Sequence, residues 1–167
     1  MGRTAIVYAS THHANTKKLV EYIAADLETE PIDITKTARP DVRACDTLIV
    51  ASGIYFHNIH RRLTEFLQAA PLQGKRAILV YTCGVRYAGY ARAVRALLRK
   101  RGALYLGAAS CRGYDTFGVF AKIGGIAKGH PTQADLRRVL KRVERMLAAE
   151  AAAFGAGAPT GEGDAQP

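Results

Sequence analysis

Short runs of apolar and β-branched residues recur along the chain at Thr4–Ala9, Thr47–Ala51, Ala77–Tyr81 and Leu104–Ala108, with a weaker one around Pro31–Ile34. They do not alternate with polar positions, as a strand with one wet face would. Continuous apolar runs of about four to eight residues are the pattern of strands covered on both faces, as in a parallel sheet. Between the runs the period changes to that of an amphipathic helix. Thr16–Leu27 places Leu19, Val20, Ile23 and Leu27 on one stripe, and Arg61–Ala70 does the same with Leu63, Phe66 and Leu67. Tyr90–Arg101 carries Val94, Leu97 and Leu98, with Gly102 as a stop signal. Asp135–Ala153 carries Leu136, Val139, Leu140, Val143 and Leu147, and Thr132 starts it after His130-Pro131.

Strands alternating with helices imply right-handed βαβ crossovers and an open, doubly wound parallel sheet in three αβα layers. Five strands suit 167 residues, whereas a (β/α)₈ barrel needs about 250. The crossover Thr35–Cys45 is short and contains Pro40, so it reads as loop or a single turn. Residues 1–153 are expected to form one domain, and residues 154–167, which hold almost no large apolar side chain, a disordered tail.

Ligands of such a sheet bind outside the carboxyl ends of its strands, so the segments after each run carry the chemistry. After the first comes Ser10-Thr11-His12-His13-Ala14-Asn15-Thr16 and then a helix. Hydroxyls and free backbone N–H groups at a helix N-terminus suit a phosphate. A plain N-cap would need one such residue rather than four across the loop. After the third run comes Ser52-Gly53-Ile54-Tyr55-Phe56-His57-Asn58, and after the fourth Thr82-Cys83-Gly84-Val85-Arg86-Tyr87. Each joins a glycine, which lets backbone approach a ligand, to an aromatic that can flank a flat ring. A phosphate on the first loop and a planar ring between the other two describe a flavin mononucleotide, FMN.

On these residues the chain resembles the flavodoxin family, whose phosphate loop, Thr/Ser-x-Thr-Gly-Asn-Thr, is matched by Ser10 through Thr16. The segments Cys111–Gly118 and Ile123–Pro131 are similar to a stretch of one bacterial flavodoxin-like branch, and the likeness covers roughly residues 3–147. The resemblance implies a flavodoxin-like sheet of order 2-1-3-4-5. It makes Ser10, Thr11, Asn15 and Thr16 phosphate ligands, with His12, His13 and Ala14 in the same loop. It sets Ser52, Gly53, Ile54 and Tyr55 against one side of the flavin ring, and Thr82, Cys83, Gly84 and Tyr87 against its other side and edge. Gly53 is the candidate for the backbone group that the family places near the ring's N5. The chain departs from the pattern in a loop one residue longer, with Ala14 where glycine is expected, and in having tyrosines and no Trp to flank the ring.

Other motifs carry less. His57 and His60 lack nearby Cys, Asp or Glu to complete a metal set, and no metal is expected. Cys83 reads as a small side chain fitted against the ring, Cys45 as core or edge filler. Gly124-Gly125 with Gly129 lacks the preceding strand and following acid of a dinucleotide fingerprint. Ser110–Pro131 is too long for a plain connection, and its Tyr114, Phe117, Phe120 and Ile123 suggest an ordered flap over the flavin edge or a partner surface. A receiver domain needs an Asp where Ser52 stands, and a low-molecular-weight phosphatase needs a Cys in the first loop; neither is present.

Composition sharpens this. No apolar run approaches the roughly 20 residues of a membrane span, and the first run is too short for a signal-peptide core. Three cysteines without metal-like spacing argue against a disulfide framework, so a cytoplasmic location is expected. The net charge of +10 is unusual for an electron shuttle of this family, which is generally acidic. It implies an anionic partner: a redox protein with an acidic docking face, or contact with a membrane surface. No nucleic-acid recognition motif accompanies the charge. The expected function is FMN-dependent electron transfer with no general acid–base pair. The alternatives are an oxidoreductase acting on a quinone or porphyrinogen-like substrate, similar to menaquinone-dependent protoporphyrinogen oxidases, and a flavin-free interaction module.

Overall fold

A computed structural model of the chain describes residues 2–155, and side chains through residue 149. Its elements are β1 (Thr4–Ala9), α1 (Asn15–Asp26), β2 (Pro31–Asp33), β3 (Thr47–Tyr55), β4 (Asn58–Ile59), α2 (Arg61–Ala69), β5 (Arg76–Cys83), α3 (Tyr90–Lys100), β6 (Leu104–Arg112), a 3₁₀ turn at Gly118–Ile123, and α4 (Gln133–Gly155). Five parallel strands lie in the order β2-β1-β3-β5-β6, and β4 pairs antiparallel with the end of β3. The parallel strands thus follow the flavodoxin-like order, with one short additional strand. That strand comes from a tight hairpin whose turn, Phe56-His57, has none of the usual Gly or Asn.

Apolar runs become strands here because both faces of the sheet are covered. Leu48 and Val50 of β3 face one core with Leu63 and Leu67 of α2 and Leu98 of α3. Ile49 and Ala51 face the other with Leu19 and Ile23 of α1 and Val139 and Val143 of α4. Helix α3 stops as expected at Gly102, whose φ is 77°. The Ala103 N–H returns to the Leu98 carbonyl and the Gly102 N–H to Arg99, a Schellman closure. The Thr35–Cys45 crossover is turns and loop, as its proline suggests.

Three strands run further than their apolar cores. β3 reaches Tyr55, β5 reaches Cys83 and β6 reaches Arg112, so Ser52–Tyr55, Thr82, Cys83 and Ser110–Arg112 are strand, not loop. Of these, Gly53, Ile54, Tyr55, Thr82 and Cys83 line a cavity, while Ser52 and Cys111 are buried behind it. Helix α4 begins at Gln133 and includes Phe154 and Gly155, while the rest of the expected tail lies outside the described residues. Among the described residues no helix is long and apolar enough to cross a membrane.

Candidate functional site

The carboxyl ends of β1, β3 and β5 surround a cavity of about 690 Å³. One end is the loop between β1 and α1. His13 and Ala14 both adopt left-handed backbone there, at φ 53° and 52°, and Ala14 caps α1 without a side-chain hydrogen bond. Among the described residues, none of the N–H groups of residues 12–16 finds a hydrogen-bond acceptor. A cluster of unpaired donors on the positive end of a helix is a ready anion site.

The side chains of the loop do different work. Ser10 Oγ accepts from the Lys17 N–H at 3.2 Å and so caps α1 from outside the helix. The Thr11 N–H and hydroxyl both donate to the Tyr55 hydroxyl, at 3.2 and 2.9 Å. Asn15 Nδ2 donates to the Tyr114 carbonyl at 2.7 Å, and buried Thr16 shares a 2.8 Å hydroxyl contact with Thr82. These contacts fasten the loop to β3, β5 and the segment after β6.

The rest of the cavity is largely aromatic, with one cation, Arg86, and one carboxylate, Asp115, in its wall. His57, Tyr87 and Tyr90 stand against one another with ring centroids 5.2–6.1 Å apart. Elsewhere in the wall Phe56 meets Phe117 edge-on at 4.8 Å, and His13 lies 4.5 Å from Tyr114. Backbone forms the floor. A side chain at Gly53 would meet the Tyr55 ring, its hydroxyl oxygen 2.9 Å away, and one at Gly84 would collide with the Asp115 carboxylate. Burial pushes the Cys83 thiol and the Tyr90 phenol up, so both are protonated at neutral pH. Burial, then the charge of Arg62, pulls His60 down; its Nδ1 accepts from the Arg62 N–H at 3.2 Å and caps α2.

Of the residues singled out from the sequence, His12, His13, Asn15, Thr16, Gly53, Ile54, Tyr55, Thr82, Cys83, Gly84 and Tyr87 line this cavity. Ser10, Thr11, Ala14 and Ser52 stand behind it; Ser52 Oγ donates to the Gly53 carbonyl at 2.6 Å and accepts from the His60 N–H at 2.9 Å. Sequence reasoning did not place Phe56, His57, Tyr90, Asp115 or Thr116 in the wall, though all line it. The segment after β6 is ordered through an Asp115–Ile126 bridge and the 3₁₀ turn. Its Tyr114, Phe117 and Phe120 close one side of the cavity. All three cysteines are free and buried.

The flavodoxin domain family matches residues 5–121. The chain belongs to the flavodoxin family. An uncharacterized protein of Methanocaldococcus jannaschii is 30% identical over 147 residues, 87% of this chain and 98% of that one. Oxidised flavodoxin 1 of Bacillus cereus superimposes with a TM-score of 0.65 at 18% identity, over 87% of this chain and 97% of the other. A Fusobacterium nucleatum flavodoxin bound to flavin mononucleotide gives 0.60 at 14% identity, over 87% and 98%. At such identities the structures speak for the flavodoxin fold, and the family match extends that to descent.

Proposed function

We propose that this flavodoxin-family chain binds FMN in the cavity and serves as an electron-transfer protein. One observation carries the reading: a cluster of unpaired N–H groups at the start of α1 lies beside a predominantly aromatic slot at the ends of β3 and β5. An anion with a flat, uncharged ring attached matches both halves. When bound, the flavin supplies the one- or two-electron chemistry.

The chain's own residues bind, orient and exclude water. The N–H groups of residues 12–16 hold the phosphate, with Lys17 adding positive charge nearby. Gly53 and Gly84 let backbone approach the ring, and Tyr87, Tyr90 and His57 keep solvent from its side. Gly53, the candidate for the ring's N5 edge, is steadied by the Ser52 hydroxyl on its carbonyl. The left-handed backbone beside the slot lies three and four residues on, at Phe56 and His57, with φ 47° and 66°.

Titration of flavin-stripped protein with FMN and with riboflavin tests the reading. Charge-assisted phosphate contacts predict FMN binding at least about a hundredfold tighter. Failure to take up either flavin overturns it. A second reading, an oxidoreductase with a flat apolar substrate such as a quinone or porphyrinogen-like ring, is favoured by the exposed aromatic rim, where Phe56 is 76% and Phe117 55% accessible. Turnover of such a substrate without a partner protein distinguishes the two.

A further inference from the structure

The positive charge of this chain is concentrated in one stretch. Residues 86–145 hold fourteen Lys and Arg against three Asp and Glu, a surplus of eleven, while residues 1–85 hold ten against eight. Nine of these fourteen cations lie on α3 and α4, the helices beside one edge of the sheet. Strand β6 is the terminal strand, paired only with β5, and α3 and α4 both pack on it. Burial raises the phenol of Tyr105 on β6, and the charges of Arg95 and Arg99 on α3 and Arg142 on α4 oppose that rise without cancelling it. Arg142 Nε also donates to the Ala108 carbonyl of the open edge at 2.9 Å.

Between the two cationic ridges lies an apolar strip. Leu104 is half exposed, and Leu106, Ala108 and Met146 are only partly covered. Among the described residues, Arg138 is the only cation on these two helices in an ion pair, with Asp135. Arginine rims around an apolar centre are the composition of a protein interface.

We propose that the α3–β6–α4 edge is the docking surface for a protein partner carrying two acidic ridges around an apolar strip. A nucleic acid fits less well, because the strip offers no exposed aromatic for bases to stack on. A lipid surface also fits less well, because the most exposed large apolar side chains, Phe56, Val119 and Ile123, sit on the β3–β4 turn and the segment after β6. The surface meets the functional site at one corner, since Tyr90, the first residue of α3, lines the cavity. A partner lying along α3 thus reaches the aromatic wall from the side.

The test uses the full chain labelled with ¹⁵N and a synthetic peptide of alternating glutamate and leucine as probe. Amide shifts are expected along α3, β6 and α4, and carbodiimide is expected to link the peptide to Lys100 and Lys141. The R95Q/R99Q/R145Q variant is expected to bind roughly tenfold more weakly, about 1.4 kcal/mol, and a K36Q/R39Q/R43Q variant to bind as the parent does. No peptide binding, shifts mapping elsewhere, equal loss in both variants, or tighter binding to oligothymidylate or to phosphatidylglycerol-containing vesicles overturns the proposal. The readout does not depend on flavin, so its failure is distinct from failure of the FMN reading.

Discussion

At the start of α4 a single carboxylate, Asp135, serves four donors. The Thr132 N–H and hydroxyl and His130 Nδ1 all reach Oδ2, at 3.0, 2.9 and 2.6 Å, and Arg138 reaches Oδ1 at 2.7 Å. The Asp135 N–H returns to the Thr132 hydroxyl at 3.2 Å, closing a reciprocal capping box. Burial alone would raise this carboxyl, but the bonds from Thr132, His130 and Arg138 outweigh it and hold the group below the usual carboxylate range. A lowered folded-state value means that the stabilisation is complete above the unfolded value of about 3.9 and is lost as pH falls toward the folded one. Asp135→Asn is therefore expected to destabilise the protein by about 2 kcal/mol at neutral pH, with the gap to the parent narrowing below about pH 4. Urea unfolding at neutral and acid pH checks both parts. The cap also serves the cavity, because the His130 carbonyl accepts from the Tyr114 N–H at 3.1 Å and the Pro131 carbonyl from Lys18 Nζ at 3.1 Å.

The element that opens the cavity, the turn into α1, carries strain that the rest of the fold sustains. Two successive non-glycine residues, His13 and Ala14, sit in the left-handed region, which costs about 1 kcal/mol or more per residue. Ala14→Gly is expected to raise stability by about 0.5–1 kcal/mol in chemical denaturation, while leaving the N–H donors of residues 12–16 in place. A loss of stability would show that the loop does not need the left-handed turn. The sequence displays alanine at a position where flavodoxin loops have glycine, but only the backbone shows what the substitution imposes. Strand cores such as Thr47–Ala51 were legible because burial on both faces leaves an uninterrupted apolar run. The extensions Ser52–Tyr55 and Thr82–Cys83 were not, because Ser52, Gly53, Thr82 and Cys83 interrupt the apolar run with small and polar residues of the kind found in loops. The hairpin at Phe56-His57 gave no turn signal, having neither Gly nor Asn. The segment after β6 has no period; its aromatics announced packing without saying against what.

For the whole molecule, the distribution of charge opposes stability. Arg92, Arg95 and Arg99 recur on one face of α3 at spacings of three and four residues, and Arg138, Arg142 and Arg145 do so on α4. Like charges at such spacings destabilise a helix by about 0.2–0.5 kcal/mol per pair. The two rows belong to helices that both pack on β6, and their repulsion is screened by salt, with a Debye length of roughly 10 Å at 0.1 M. Among the described residues no carboxylate pairs with the α3 arginines, and the only acids in the helical span 133–149 are Asp135 and Glu144. Neutralising part of one row should therefore relieve repulsion without removing a hydrogen bond or ion pair, since Arg95 and Arg99 make none through their side chains among the described residues. The Arg95→Gln/Arg99→Gln variant is expected to be more stable than the parent by about 0.5 kcal/mol in low salt. The difference should close as salt is raised to about 0.5 M, where screening shortens the Debye length to roughly 4 Å. Thermal unfolding at both ionic strengths reads it directly. A variant less stable than the parent in low salt would mean that these arginines hold the fold together; a more stable one leaves their concentration on this edge to be explained by what docks there.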